Sequence, residues 1–250
     1  MEGLVVDVDK SPARIAGMFD AIAARYDLLN HLLSLGVDRY WRWRAVRTLA
    51  LTGRETVVDV CTGTADLALA LARPGRAARV VGIDFAGAML RRGLEKIRRS
   101  GGVAPTGLAR GDAMRLPLPD GIADGLTIAF GIRNVQDPAA ACVDCRRVLR
   151  PGGRLAILEF GTPSLPVFRQ VYGWYFTNVL PLIGRALSHH SDAYTYLPAS
   201  VGLWKDASEF CDTLRGAGFT EVRAVRLTFG IVYLYVACKP DRVAAGRPGL

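Results

Sequence analysis

Apolar residues recur at helical spacing in the first fifth of this chain. Between Arg14 and about Leu35 they fall at Ile15, Met18, Phe19, Ile22, Tyr26, Leu29, Leu32 and Leu33. Gly36 stops that pattern, and a second helical run carries Tyr40, Trp41 and Trp43 from Asp38 to Leu51. Short β-branched runs then alternate with helical ones, which predicts an α/β fold with helices on both faces of a mostly parallel sheet. Strands are expected near 56–60, 79–83, 106–109, 124–130 and 153–160, and helices near 65–73, 87–99, 137–149 and 205–217. Pro151-Gly152-Gly153 reads as a turn into the apolar run Arg154-Leu-Ala-Ile-Leu-Glu159. Two last runs, near 221–228 and 231–238, are joined by Phe229-Gly230 and read as a hairpin, which puts one antiparallel strand near the sheet edge. Residues 14–239 form one domain on this reading, with 1–13 and 240–250 as disordered ends. Within it, 14–52 make a helical cap over the carboxyl ends of the strands. Residues 163–198, rich in Phe, Tyr and Trp and interrupted by Pro181, form an apolar insertion that is either a lid or a second core layer.

Chemistry enters at the strand ends. Thr56-Val-Val-Asp-Val60 closes in a small-residue turn, Cys61-Thr-Gly-Thr-Ala65, and a helix follows; the next strand ends in Asp84. Strand, tight turn, helix and strand with an acidic tip is the unit that holds a nucleoside, with the acid accepting from the ribose hydroxyls. A pyrophosphate needs glycine at each close approach, yet here the three positions are Cys61, Gly63 and Ala65. Such a turn suits a phosphate-free nucleoside such as S-adenosylmethionine. Asp112 and Ala113 follow the third strand, where a carboxylate and a backbone N–H can meet adenine. Ala129-Phe-Gly-Ile-Arg-Asn134 follows the fourth and brings a guanidinium and an amide to the place of the transferred group.

Thirty-two Lys and Arg against twenty-three Asp and Glu leave the chain at +9, mostly as arginine scattered over helices rather than in blocks. That excess keeps nucleic acid in view as a partner. Base-directed enzymes of this kind usually grip a flipped base with an Asn/Asp-Pro-Pro-aromatic segment after the fourth strand, and this chain has Phe130-Gly-Ile-Arg-Asn134 instead. A non-catalytic subunit that only binds the cofactor is the other alternative; the intact Asp84, Asp112 and Arg133 speak against it. Five cysteines are an odd number, and Cys142 and Cys145 form a single CxxC spacing without a second pair, so no metal is expected. No run of about 18 apolar residues suggests a membrane span, and the start of the chain lacks a signal-peptide layout, so a cytoplasmic location is expected.

Several segments resemble the ubiquinone/menaquinone biosynthesis C-methyltransferases, class I enzymes with a Rossmann-like fold. They are Tyr26-Asp-Leu-Leu-Asn30 with Leu33-Ser34, Asp38 and Trp41; Phe130-Gly-Ile-Arg-Asn134; Arg147-Val-Leu-Arg-Pro-Gly-Gly-Arg-Leu-Ala-Ile-Leu-Glu-Phe-Gly161; and Ala193-Tyr-Thr-Tyr-Leu197. The family usually has Met and His where this chain has Leu29 and Asp38, and Lys and Ser where it has Arg150 and Gly161. The resemblance runs from about Phe19 to Lys239. It implies S-adenosyl-L-methionine as cofactor and methylation of a ring carbon on a prenylated quinol: demethylmenaquinol, or the benzoquinol intermediate of ubiquinone. The tail of such a substrate implies weak contact with the inner face of a membrane; a homodimer is left open. The implied cofactor residues are Asp59, Gly63, Thr64, Asp84, Asp112, Ala113, Ala129 and Tyr26. Ala129 stands where the family often has Ser, so a hydroxyl contact is lost there. Arg133 and Asn134 are the implied catalytic pair. Arginine stays protonated, so Arg133 is expected to hold a phenolate or orient a water rather than act as a base. Tyr26, Asp27 and Asn30 either close over the cofactor or tie the N-terminal helices together. His189 and His190 either relay a proton or mark a surface turn.

Overall fold

A computed structural model describes residues 11–23, 26–101, 103–161, 163, 196 and 200–241. The expectations placed on the apolar insertion, on His189 and His190, and on residues 1–10 and 242–250 lie outside the described residues.

The alternating pattern gives the expected sheet. The strands are β1 (Thr56–Val60), β2 (Arg79–Asp84), β3 (Thr106–Arg110), β4 (Ala123–Ala129), β5 (Leu149–Phe160), β6 (Thr220–Leu227) and β7 (Val232–Cys238). Their order is β3-β2-β1-β4-β5-β7-β6, with β7 antiparallel to both neighbours and the first five strands parallel. β1 and β4 lie side by side in the interior of the sheet and are almost wholly buried, because a parallel strand is covered on both faces. The helices are α1 (Pro12–Ile22), α2 (Tyr26–Leu33), α3 (Asp38–Thr48), α4 (Asp66–Leu71), α5 (Gly87–Arg99), α6 (Pro138–Val148) and α7 (Ala207–Gly216). Local chemistry starts two of them. Asp137 accepts from the Ala139 and Ala140 N–H groups with Pro138 in the first turn of α6, and Asp206 and Glu209 form a reciprocal cap on α7.

Period-2 alternation divides the core between the faces. Val58, Leu126, Leu155 and Ile157 pack with α6 and α7, while Val57, Ala156 and Leu158 pack with α3 and α4. Cys142 and Cys145 belong to the buried face of α6, and burial pushes the Cys142 thiol up to about 12 and Cys145 upward as well. They are packing residues.

Two expectations are corrected. The turn at Pro151-Gly152-Gly153 lies inside β5, which begins at Leu149. Gly152 takes φ +74°, its N–H donates to Lys239 O at 2.9 Å, and Lys239 N–H donates to Gly153 O at 2.9 Å, so β7 carries the ladder across the irregularity. The cap is also smaller than residues 14–52. α1 lies on α5, where Phe19 and Tyr26 meet edge to face at 5.9 Å and pack on Ala86 and Met89. α3 instead joins α4 on the sheet face, because Trp41, Ala45, Val46 and Leu49 give it a buried side that fits β5 and β7. The Trp41 indole N–H donates to Thr228 Oγ1 at 2.8 Å.

Candidate active site

The turn after β1 bends through three left-handed residues, Cys61, Gly63 and Ala65, at φ +54°, +55° and +66°. Only Gly63 takes that conformation without a steric cost; the other two cost about 1–2 kcal/mol each. The turn also lies hard against the end of β4: a Cβ on Gly131 would stand 2.3 Å from Cys61 Cβ. The result is a cleft at the carboxyl ends of the strands, enclosing about 840 Å³ with its open mouth.

Asp84 lies at its floor. Its Oδ2 accepts from Gly63 N–H at 2.8 Å and its Oδ1 from Ala86 N–H at 2.9 Å, and each oxygen keeps a lone pair. Burial raises its pKa, against the pull of those N–H groups. Gly63, Asp112, Ala113, Ala129, Asn134 and Tyr26 line the same cleft, so most of the sequence-predicted residues converge there. Asp112 Oδ1 accepts from Met114 N–H at 2.9 Å, which fixes the carboxylate at the rim. Burial raises the Tyr26 phenol, opposed by a hydrogen bond with Asn30 and the charges of Arg133 and Arg42.

Three predicted residues lie elsewhere. Asp59 is beneath the turn and does not line the cleft. It accepts from Thr62 Oγ1 and Thr127 Oγ1, both at 2.6 Å, and so ties the turn to β4. Thr64 is buried and turns away from the cleft, donating to Asp27 and accepting from Lys96 Nζ at 3.2 Å. Lys96 also pairs with Asp27 at 2.8 Å and with Asp66, which reaches Arg42 at 3.2 Å. Arg42 pairs with Asp38 at 2.5 Å, whose carboxyl is lowered: burial raises it, but Arg42, Ser34 and His31 outweigh that. This network fastens α2 to α3, α4 and α5, so Asp27 does tie helices together.

Arg133 is 4% exposed and stands behind the cleft wall. Its guanidinium meets Glu159 Oε1 and Phe130 O at 2.7 Å each, meets Ser200 Oγ at 3.3 Å, and lies over the Phe160 ring. Glu159 Oε2 accepts the Arg133 backbone N–H at 3.2 Å. The cation expected at the place of the transferred group is therefore half of a buried ion pair. Asn134, next in the chain, does face the cleft, and its Oδ1 accepts from Tyr196 Oη at 3.0 Å. Sequence reasoning assigned no role to Glu159 or Tyr196. An acid ending the run Leu155-Ala-Ile-Leu was the available signal for Glu159, since a buried carboxylate must be paired.

Burial, the largest influence on Asp59, pushes its carboxyl up to about 6 despite the two threonine hydroxyls. In the unfolded chain the same group ionises near pH ~4. The native state thus holds an extra proton between those values, and stability falls as pH rises through that window, by on the order of 2–3 kcal/mol, before levelling off. Asp84 shifts in the same direction. Asp59→Asn is expected to remove part of the slope in urea denaturation between about pH 4 and 7. An unchanged slope would assign the titration to Asp84 alone.

The chain matches the family described as "ubiE/COQ5 methyltransferase family" over residues 7–239. It belongs to that family. The methyltransferase is 44% identical over 236 residues to the demethylmenaquinone methyltransferase of Mycolicibacterium paratuberculosis, covering 94% of this chain and 98% of that one. It is 46% identical over 227 residues to the ubiquinone/menaquinone biosynthesis C-methyltransferase UbiE of a Geobacter species, covering 90% and 96%. Its fold is similar to a SAM-dependent methyltransferase from Aquifex aeolicus, with a TM-score of 0.57, 19% identity, and coverage of 79% and 88%. The donor set fits S-adenosylmethionine. A buried carboxylate with spare lone pairs faces a turn that lacks the glycines a pyrophosphate needs. Among the described residues no group of His, Cys, Asp and Glu forms a metal site, and no helix is long and apolar enough to cross a membrane.

Proposed function

We propose that this methyltransferase methylates a ring carbon of a prenylated quinol, with demethylmenaquinol as the favoured substrate. One observation carries the reading. Asp84 and Asn134 open onto a single cleft whose other walls include Phe19, Ile83, Met89, Phe130 and Val135. A polar nucleoside end and a flat apolar ring both find matching surface there. The names of the relatives agree, and the mycobacterial one favours the naphthoquinol.

Asp84 would accept from the ribose hydroxyls, Asp112 and Ala113 N–H would meet adenine, and Gly63 lets the backbone approach the amino-acid end. Bound S-adenosylmethionine supplies an electrophilic methyl group. A quinol carbon becomes nucleophilic once its neighbouring hydroxyl ionises, and a phenol titrates near pH ~10, so the site must favour the anion. Asn134 Oδ1 is taken by the Tyr196 hydroxyl and one Nδ2 hydrogen lies toward Phe130 O, at 3.5 Å, so the second Nδ2 hydrogen would be left to donate to that oxygen. Arg133 shares the Phe130 carbonyl with Asn134, and its charge lies behind the amide. The hydroxyl proton would pass to water at the mouth; the ring carbon would take the methyl group as its bond to sulfur breaks, which leaves neutral S-adenosylhomocysteine, and the ring C–H proton would then pass to water as aromaticity returns.

Incubating the protein with S-adenosylmethionine and short-tailed reduced naphthoquinols, benzoquinols and catechols is expected to yield a product one methylene heavier, chiefly from a naphthoquinol lacking the ring methyl. Preferential turnover of the benzoquinol would move the assignment to ubiquinone synthesis. No turnover on any quinol, by protein that binds the cofactor, would remove the substrate reading.

A further inference from the structure

The outer face of α3 carries a surface that the cleft does not use. Tyr40 and Trp43 are exposed there, at 43% and 40%, and their rings stack at 6.0 Å. Arg47 lies over the Trp43 ring at 4.9 Å, and Arg44 lies over Tyr40 at 5.8 Å while donating to its hydroxyl at 2.8 Å. Arg39 is exposed beside them. The apolar Leu35, 84% exposed, stands at the tip that leads into the helix, in a left-handed conformation at φ +50°. Between Leu35 and Arg54 the only acid is Asp38, which is buried and already paired with Arg42. Aromatic rings and arginines thus share one face without a negative charge among them.

We propose that this face of α3 rests on the anionic headgroups of a lipid bilayer. The proposal deepens the prenylated-quinol reading and rests on it for its purpose. Charge complementarity names the occupant. Indole and phenol rings settle at the headgroup boundary, where one end is apolar and the other wet. Arginine stems cover apolar surface while their guanidinium groups meet phosphates, and each basic residue near an anionic surface adds to the attraction. Cation–π contact holds rings and charges in one layer before the lipid arrives. Position gives the face its use. On the inward side of the same helix, Trp41 meets Phe130, a wall residue of the cleft, with ring centroids 5.8 Å apart. The docking face therefore lies about one helix diameter, ~10 Å, from the cleft wall, a short path between a bilayer and the reacting ring.

Flotation of the full chain with vesicles of neutral phosphatidylcholine, or of phosphatidylcholine mixed with phosphatidylglycerol, tests this. Binding is expected only to the anionic vesicles, strong at about 0.05 M salt and lost at about 0.5 M. Arg44→Gln with Arg47→Gln is expected to weaken it at least about tenfold, and Trp43→Ser at least about threefold. Arg98→Gln with Arg99→Gln, which removes the same charge from the exposed end of α5, is expected to change it less than about twofold. All variants should keep wild-type melting and wild-type turnover of a short-tailed soluble quinol, while the α3 variants lose turnover of a long-tailed quinol held in vesicles. The proposal is overturned by wild type that ignores anionic vesicles at low salt, or by equal losses in the α3 and α5 variants. It is also overturned if the face serves another occupant: duplex DNA bound as tightly as the vesicles, or concentration-dependent self-association that Trp43→Ser abolishes. Failure of the quinol reading shows separately, as absent turnover of the short-tailed quinol with flotation unchanged.

Discussion

Arg133→Ala is expected to cost the methyltransferase on the order of 3–5 kcal/mol of stability and to slow methyl transfer about a hundredfold or more. The stability loss comes from Glu159, which is 0% exposed and would keep its carboxylate without a counter-charge. The rate loss comes from removing the positive charge behind Asn134. Cofactor affinity should stay within about threefold, because Arg133 does not line the cleft that holds Asp84. Denaturation, calorimetry and single-turnover assays read the three quantities separately. A double variant, Arg133→Leu with Glu159→Leu, removes both charges and should recover most of the stability while staying slow. Recovery of turnover in that double variant would make the pair a purely structural strut.

Asp84→Ala should weaken S-adenosylmethionine binding at least about tenfold. Two charge-assisted hydrogen bonds to the ribose would disappear, and Gly63 N–H and Ala86 N–H would lose the carboxylate that fixes the turn. Titration calorimetry checks this directly, as does the shrinking of the cofactor-induced rise in melting temperature. Asp84→Asn makes the finer comparison. Its one carbonyl oxygen can satisfy Gly63 or Ala86 but not both, so it should bind less tightly than wild type and better than the alanine variant. Unchanged affinity in Asp84→Ala would take the ribose away from this residue.

The fold was largely legible because its main signals are local. Val57 and Val58 sort to opposite faces by alternation alone, and the run from Cys61 to Ala65 marks a turn whatever surrounds it. The bulge at Gly152 was not legible, because Lys239 from the far end of the chain is what continues the ladder there. α3 defeated the expectation of a full cap for a related reason: its helical period predicts a buried side but not which surface will accept it. The strand-end acids Asp84 and Asp112 could be read, since each stands at or just past the carboxyl end of a strand, where ligands gather. Asp59 and Thr64 sit one or two residues from cleft positions and point away, and that choice depends on the left-handed residues around them. The pairing of Arg133 with Glu159 joins positions 26 residues apart on adjacent structural elements, and no spacing rule announces it.

The place of β7 also bears on how the protein must be made. The outer edge of β5 pairs from Arg154 to Phe160 with Cys238 to Val232, so it has no β-ladder partner until residues 232–238 have been synthesised. At ~5–20 residues per second, a ribosome takes several seconds to travel from one strand to the other. Throughout that interval the nascent sheet presents the bare backbone of an apolar strand, a surface prone to pair with other chains. A chain cut before residue 232 is therefore expected to aggregate rather than give a smaller catalyst, and the soluble fraction of a form ending at residue 231 checks this.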